Sequence, residues 1–348
     1  MSFRRFLIKR VIDMIIVLFA TLLLTIIIVG PTMDSILKRS IEQEVNEELR
    51  NTKGLSFKTQ EEFENYKNTR IEQRIKGLGL DEPWYSPKRL WLTLLKVMSL
   101  DFGRAYTLTS FSGSAKVVDI IMERLPRTVL LFTSSTAIVS VIGLFIGALS
   151  ASKIGSIFDR LTAISAVISS SFPLWWSGMI MILIFAFMLN IFPARATPLI
   201  PLEDPSYPFA LLYHMLLPLI TLVLFSFGSW AYIVRNFMIG ILQEDYITAK
   251  RASGIPEKKI IYSHALKNSA PPIITVISLS LSSSIGGAII SEAVFDWPGI
   301  GKLYFDAINV FDLPIIIGLT YITTIVFLIS VFIADILYGF FDPRIRVG

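Results

Sequence analysis

Cysteine is absent from the 348 residues, and histidine occurs only twice, at His214 and His264. Without thiols there is no disulfide framework, no thiolate metal site and no cysteine nucleophile. Two histidines far apart in sequence leave little material for a metal centre, and none is expected. Charge is also scarce. Asp, Glu, Lys and Arg together make up 17% of the chain, against about 25% in an ordinary soluble domain. That excludes a disordered chain or a nucleic-acid-binding tail, and the formal net charge of +5 is modest. Motifs of catalysis are missing too. The nearest approach to a phosphate-cradling G-x-x-x-x-G-K-[ST] is Gly299-Ile300-Gly301-Lys302, with Asp296 where the first glycine belongs and Leu303 where Ser or Thr belongs. There is no H-E-x-x-H and no G-x-S-x-G. No catalytic residue and no ATP site are expected in this chain.

What the chain has instead is apolar length: 53% of its residues are hydrophobic. A bilayer core of about 30 Å needs about 20 apolar residues per spanning helix. Six stretches qualify: Val11 to Val29, Thr128 to Ser152, Leu161 to Ala194 with Pro173 inside it, Pro205 to Val234, Asn268 to Ser291, and Leu313 to Ala334. The fold class expected is an all-α polytopic membrane protein with six transmembrane helices. The first stretch has the basic start of a signal peptide. It is long for one and no A-x-A site follows, so it is expected to stay as a span.

Lys and Arg in short flanking segments set the orientation. Arg4, Arg5, Lys9 and Arg10 precede the first span. Lys153 and Arg160 follow the second. Arg235, Lys250, Arg251, Lys258, Lys259 and Lys267 follow the fourth, and Arg344 and Arg346 follow the sixth. The opposite short loops hold only Arg195 and Lys302. Both termini are therefore expected in the cytoplasm of a multi-pass cell-membrane protein. Asp13 and Asp335 sit near span ends, within reach of water or a basic neighbour. No carboxylate lies near a midplane, where an ion-driven secondary carrier would be expected to place one. The serine clusters Ser169 to Ser171 and Ser282 to Ser284 suit close helix packing.

The expected division is residues 1–30 for the N-terminal tail and first span, 31–125 for an extracytoplasmic loop or insertion, 126–340 for the core of spans two to six, and 341–348 for a cytoplasmic tail. Within the insertion, Ile41, Val45 and Leu49 have helical spacing between charges. This reads as a solvated helix pair or insertion, or else as a docking surface for an external partner. Residues 78–104, with Pro83, Trp84, Tyr85 and Trp91, suit the membrane interface.

The segment 240–268 between spans four and five is the most informative. Two short helices are implied, the first ending at Gly254, which can adopt a left-handed C-cap. Pro256 suits the first turn of the second, with Glu257 at its positive end and His264 and Lys267 at its negative end. Ile247, Ala252, Ile255, Ile260, Ile261 and Ala265 form an apolar face. It needs a partner, either the chain's own helix ends or another protein. A helix-turn-helix DNA reader shares the glycine turn, but Lys250 replaces its small residue, and no nucleic-acid partner is expected.

This segment resembles the "EAA" coupling segment of ABC-importer permeases, E-A-A-x-x-x-G. Here Thr248, Ala249 and Lys250 take the first three places and Gly254 is the glycine. The missing Glu matches the dipeptide/oligopeptide/nickel branch, which reads T-A-R-A-K-G-L. His264-Ala265-Leu266-Lys267-Asn268 is similar to that branch's H-A-L-x-N. Glu292 to Gly301 resembles its E-x-V-F-x-W-P-G-x-G, and Asp335, Tyr338 and Asp342-Pro343-Arg344 resemble its tail. Asp101-Phe102-Gly103 and Arg124-Leu125-Pro126-Arg127-Thr128 are similar to the stretch before its second span. The long loop after the first span points to the B-type subunit.

The resemblance implies a type I ABC-importer permease fold and one half of a translocation pathway. It implies a second homologous permease, two ATPase subunits that carry the ATP and Mg²⁺, and an extracytoplasmic binding protein that delivers peptides. Oligosaccharide or nickel cargo stays open, as does a secondary carrier outside the class. The implied coupling residues are Thr248, Ala249, Ala252, Gly254, Ile255 and His264. Arg251, Lys258 and Lys259 either steer the ATPase or are plain positive-inside charge. The implied outer gate is Glu292, Phe295, Trp297, Pro298, Gly299 and Gly301, although Phe295 and Trp297 also suit an interfacial aromatic belt. Pro173, Trp175, Trp176 and Ser226 to Ser229 are pathway-lining candidates, with helix packing as the alternative.

Overall fold

The computed structural model describes residues 3–51 and 59–341; Asp342-Pro343-Arg344, Arg346 and the rest of the tail lie outside the described residues. Among the described residues, thirteen helices carry the fold. They are α1 (Phe3–Asn51), α2 (Gln60–Gly77), α3 (Pro87–Met98), α4 (Val117–Ser152), α5 (Ile157–Ser171), α6 (Leu174–Ile182), α7 (Tyr207–Leu242), α8 (Asp245–Ala252), α9 (Glu257–Lys259), α10 (Leu266–Ser284), α11 (Ile289–Phe295), α12 (Ile300–Asn309) and α13 (Leu313–Phe341). π-Helical turns extend α6 over Leu183–Met188 and join α9 to α10 over Ile260–Ala265. Among the described residues there is no strand, only an isolated bridge between Arg104 and Lys116.

α1, α4, α7 and α13 are each long and apolar enough to cross a membrane. The pairs α5–α6 and α9/α10–α11 qualify only together, bent by 97° and 61°. Counting each bent pair as one crossing gives the six expected. The first bend falls at Phe172–Pro173, where proline withholds the N–H that would continue α5. The second falls at Gly286–Gly287, where Gly287 has φ +66°.

Two helices outrun their hydropathy. α1 does not stop at residue 30 but continues through Pro31 to Asn51. Its far half packs against α2, burying Ile41 and Val45 with Leu80 and covering Leu49, Ile71 and Ile75. Arg74 bridges Glu44 at 2.8 Å and Glu48 at 2.7 Å, two carboxylates one helical turn apart. The polar region after the first span thus contains the helix pair. α4 begins at Val117, well before the apolar run at Thr128, because Val117, Ile120 and Ile121 are buried among α1, α3, α12 and α13.

The tightest contact runs along α4 and α7. A Cβ on Gly147 would lie 2.5 Å from the Ala231 carbonyl oxygen and 2.7 Å from the Val234 side chain. Gly143, one turn away, underlies Trp230, whose indole N–H donates to the Ser140 carbonyl at 3.0 Å. Small residues four apart let the two backbones meet without side chains between them. α5 joins the same helix where Gly228 sits against the Ser165 backbone. At the base of the bundle Asp335 of α13 is paired with Arg10 of α1, as its place near a span end allowed.

Candidate functional site

The segment between α7 and α10 is an elbow of two short helices. Gly254 has φ +76°, and its surroundings hold nothing within 4 Å of where a Cβ would be. Its N–H donates to the Arg251 carbonyl at 3.0 Å, and that of Ile255 donates to Lys250 at 3.3 Å. These two bonds are the paired closure of a Schellman motif. Pro256 is the N-cap of α9 rather than a first-turn residue, and its carbonyl accepts from Lys259 and Ile260. Arg251 reaches across the bend to Glu257, with bonds of 2.7 and 3.1 Å. That forked pairing raises the pKa of the Arg251 guanidinium above its ordinary value. Arg251 therefore braces the elbow, while Lys258 and Lys259 remain exposed.

The apolar face finds its partner within the chain. Ile247, Ile260, Ile261 and Ala265 are buried with Ala148 and Ala151 of α4, Val234, Met238 and Leu242 of α7, and Ile273 of α10. These isoleucines anchor the elbow to three helix ends and are not free for another protein. The surface left outside is different. Thr248, Ala249, Ala252 and Gly254 are exposed, and Ile255 is half-buried. Small residues there leave the backbone approachable. His264 is half-buried on the other side of the elbow, with the Lys250 ammonium 2.9 Å from its Nδ1.

A replacement at the hinge isolates its role. A Cβ at Gly254 meets nothing within 4 Å, so Gly254→Val should act chiefly through the left-handed backbone, which costs about 1–2 kcal/mol for an L-residue. The variant is expected to insert at normal levels and lose most of its transport. Uptake measures this, with co-purification of the ATPase that the resemblance implies; unchanged uptake would refute a coupling role for the elbow.

Beside this elbow is a cluster that hydropathy gave no reason to notice. Asp159 is buried at the start of α5. It accepts from the Ser150 hydroxyl at 2.7 Å and the Gly155 N–H at 2.9 Å, and it pairs through both oxygens with Arg235 of α7. One carboxylate thus ties together the end of α4, the start of α5 and α7. Arg235 counted in the sequence only as one of many basic residues.

The Glu292–Gly301 stretch forms a second built site. α11 ends at Phe295, and Asp296 takes the left-handed conformation, φ 55°. The chain then turns through Trp297, Pro298 and Gly299 into α12. Glu292 is 1% exposed. One carboxylate oxygen accepts from the N–H groups of Gly301 and Lys302 at 2.9 and 3.1 Å; the other accepts from the Thr128 hydroxyl at 3.0 Å. Thr128 in turn accepts from the Ile300 N–H at 2.8 Å. Glu292 and Thr128 therefore satisfy three N–H groups in the first turn of α12, whose N-cap, Gly299, has no side chain to do so. Gly301 must be glycine here, since a Cβ would fall 2.9 Å from the Ala288 carbonyl carbon and 2.9 Å from the carboxyl carbon of Glu292.

Phe295 and Trp297 are 3% and 0% exposed, so neither is an interfacial belt residue of this chain. Phe295 fills the space over Gly178 of α6, and the Trp297 indole donates to the Arg127 carbonyl at 3.1 Å. Arg195 and Lys302 hold the turn from outside through Asp296, at 2.7 and 3.4 Å. The expected gate residues are thus one packed unit joining α4, α6, α11 and α12. At the α5–α6 break Phe172 and Trp176 are stacked, centroids 4.9 Å apart, and both are exposed. Pro173 is exposed and Trp175 half-buried. The Ser229 hydroxyl meets the Ala166 carbonyl of α5 at 3.5 Å, a packing contact.

The apolar bundle with a braced elbow between its fourth and fifth crossings fits the permease fold that the motif resemblance implied. The model of the binding-protein-dependent transport system inner membrane component family matches residues 143–347, and the chain belongs to that family. Among curated proteins it is 33% identical to the oligopeptide transport system permease protein AppB of Bacillus subtilis (strain 168), over 79% of this chain and 84% of that protein. It is 33% identical to the dipeptide transport system permease protein DppB of Alkalihalophilus pseudofirmus, over 79% and 85%. For DppB of Escherichia coli (strain K12) the identity is 31%, over 80% and 85%. The chain is a multi-pass inner-membrane permease of the ABC-importer type, as the motif resemblance implied.

Proposed function

We propose that this chain is one of two homologous permease halves of an ATP-driven peptide importer. Peptides reach it from an extracytoplasmic binding protein. ATP and Mg²⁺ act on two partner ATPase subunits that seat on the α8–α9 elbow. The observation that carries this reading is the elbow. A closed hinge at Gly254, braced by Arg251–Glu257 and rooted by Ile247, Ile260 and Ile261 in the ends of α4, α7 and α10, moves those ends when it is pushed. The peptide cargo follows the names of the relatives AppB and DppB. Glu292, Phe295, Trp297, Pro298, Gly299 and Gly301 fix the far end of α4 to α6, α11 and α12 as an outer gate.

The test is reconstitution with the second permease, the ATPases and the binding protein. Peptide uptake should require ATP on the elbow side and survive collapse of proton and sodium gradients. A conformational equilibrium shifts only through differential binding to its two states, and nucleotide supplies that here. Uptake by the isolated chain under an imposed ion gradient would restore the secondary-carrier reading. Uptake of labelled oligosaccharide in place of peptide would reassign the cargo.

In this reading both termini and the elbow are cytoplasmic. The natural chain has no cysteine, so single replacements are clean probes. Ser156→Cys, in the α4–α5 turn, should resist an impermeant thiol reagent in intact cells. Thr59→Cys, at the N-cap of α2, should be labelled. The reverse pattern would invert the topology.

A further inference from the structure

A cavity of about 630 Å³ opens between α1, the α2–α3 connection, α3 and the start of α13, away from both sites above. Its size is that of a small-molecule site. Its walls are divided by chemistry. Ile26, Met33, Val97 and Ile317 line it as an apolar wall, and the Trp84 ring, packed on Gly30, forms one side. Two of its lining cations are already paired: Lys88 with Glu82 of the same lining at 2.9 Å, and Arg89 with Asp34 outside it at 2.6 Å. Lys76, Lys96, Asp81 and Asp101 also line it and make no ion pair among the described residues; Asp101 accepts only the N–H of Gly103, at 3.2 Å. The rim thus offers two cations and two carboxylates outside these ion pairs.

The cavity also opens beside the end of an apolar crossing. Ile26 and Gly30 are at the end of the apolar run of α1, and the neighbouring Ile28 is 74% exposed. α3 is amphipathic. Leu94 and Val97 are buried, while Trp91, Leu92, Leu95 and Met98 are exposed and carry no polar cover. A helix with one such face and a tryptophan on it lies in a membrane interface.

We propose that this cavity binds a phospholipid with a zwitterionic, amine-bearing headgroup. Acyl chains lie on the apolar wall, the phosphate meets Lys76 and Lys96, and the ammonium meets Asp81 and Asp101. Balanced rim charge selects a zwitterion over an anionic lipid. The amine distinguishes it from choline, whose methylated nitrogen has no N–H to donate.

The test uses the assembled transporter in nanodiscs of equal phosphatylethanolamine, phosphatidylglycerol and phosphatidylcholine content, followed by detergent extraction and mass spectrometry of the lipid that stays bound. Phosphatidylethanolamine is expected to be enriched several-fold over the bulk. Lys76→Gln with Lys96→Gln should bring retention down to the bulk ratio. Asp81→Asn with Asp101→Asn should keep a bound phospholipid but remove the preference over phosphatidylglycerol. All four side chains are at the rim, so the variants should insert normally. Bulk composition in the wild type, or enrichment unchanged in both double variants, overturns the proposal. Preferred retention of phosphatidylglycerol would overturn the headgroup assignment. Peptide uptake is not the readout, so failure here and failure of the transport reading are separate results.

Discussion

Glu292→Ala should abolish uptake and markedly lower the melting temperature of the solubilised protein. The replacement strands the N–H groups of Gly301 and Lys302 and frees the Thr128 hydroxyl in a site closed to water. Each unsatisfied buried group costs about 1–3 kcal/mol, so the total should exceed about 3 kcal/mol. Glu292→Gln is the informative control. Its amide oxygen can still accept from both N–H groups, and its NH₂ can donate to Thr128. Gln should therefore retain most of the stability. If Ala and Gln behave alike, the carboxylate serves something other than capping α12. If Ala is harmless, the gate unit does not depend on Glu292. Gly301→Val should destabilise as well, by pressing on both the Glu292 carboxyl group and the Ala288 backbone.

The second large effect is expected at Asp159. Arg235→Met leaves a buried carboxylate with only Ser150 and Gly155 for company. Removing one partner of a buried pair costs about 3–5 kcal/mol, whereas replacing both can be nearly neutral. Arg235→Met should thus destabilise severely, and adding Asp159→Asn should recover a good part of the loss. Thermal unfolding of the single and double variants reads this directly. Transport adds the functional half. The double variant should stay folded yet stimulate the ATPase poorly, because α5 is no longer tied to α7 beside the elbow. Full transport in the folded double variant would make the pair structural only.

The crossings were legible because burial in lipid needs long apolar runs, and these stand out in any sequence. The Gly254 hinge was legible because few residues accept a positive φ. α12 was not. Its ten residues are too short to register as a span, and their apolar side is visible only with α4 and α13 beside it. The continuation of α1 was hidden by polar composition, since a helix pair that buries only Ile41, Val45 and Leu80 needs few apolar residues. Long-range polar pairs were hidden for a different reason. Asp312 accepts from the N–H groups of Tyr106, Thr107 and Leu108, about two hundred positions earlier, and nothing local to it announces that. The apolar face of the elbow was seen, but hydropathy cannot say which surface will cover it. The ends of α4, α7 and α10 do.

The π-turn over Ile260–Ala265 has a consequence for how this chain tolerates change. It holds one residue more than α-helical winding would, marked by the bond from the Leu266 N–H back to Ile261. The wide turn absorbs that residue, so the elbow and α10 keep the angular phase of an unbroken helix. Deleting the exposed Ser263 would return the stretch to ordinary winding with Ile260 still against Ile247 and Glu257 still facing Arg251. The same deletion in the regular part of α10 would turn the elbow by about 100° relative to the crossing. The chain therefore has one place between elbow and crossing where its length can change by a residue without changing its aim.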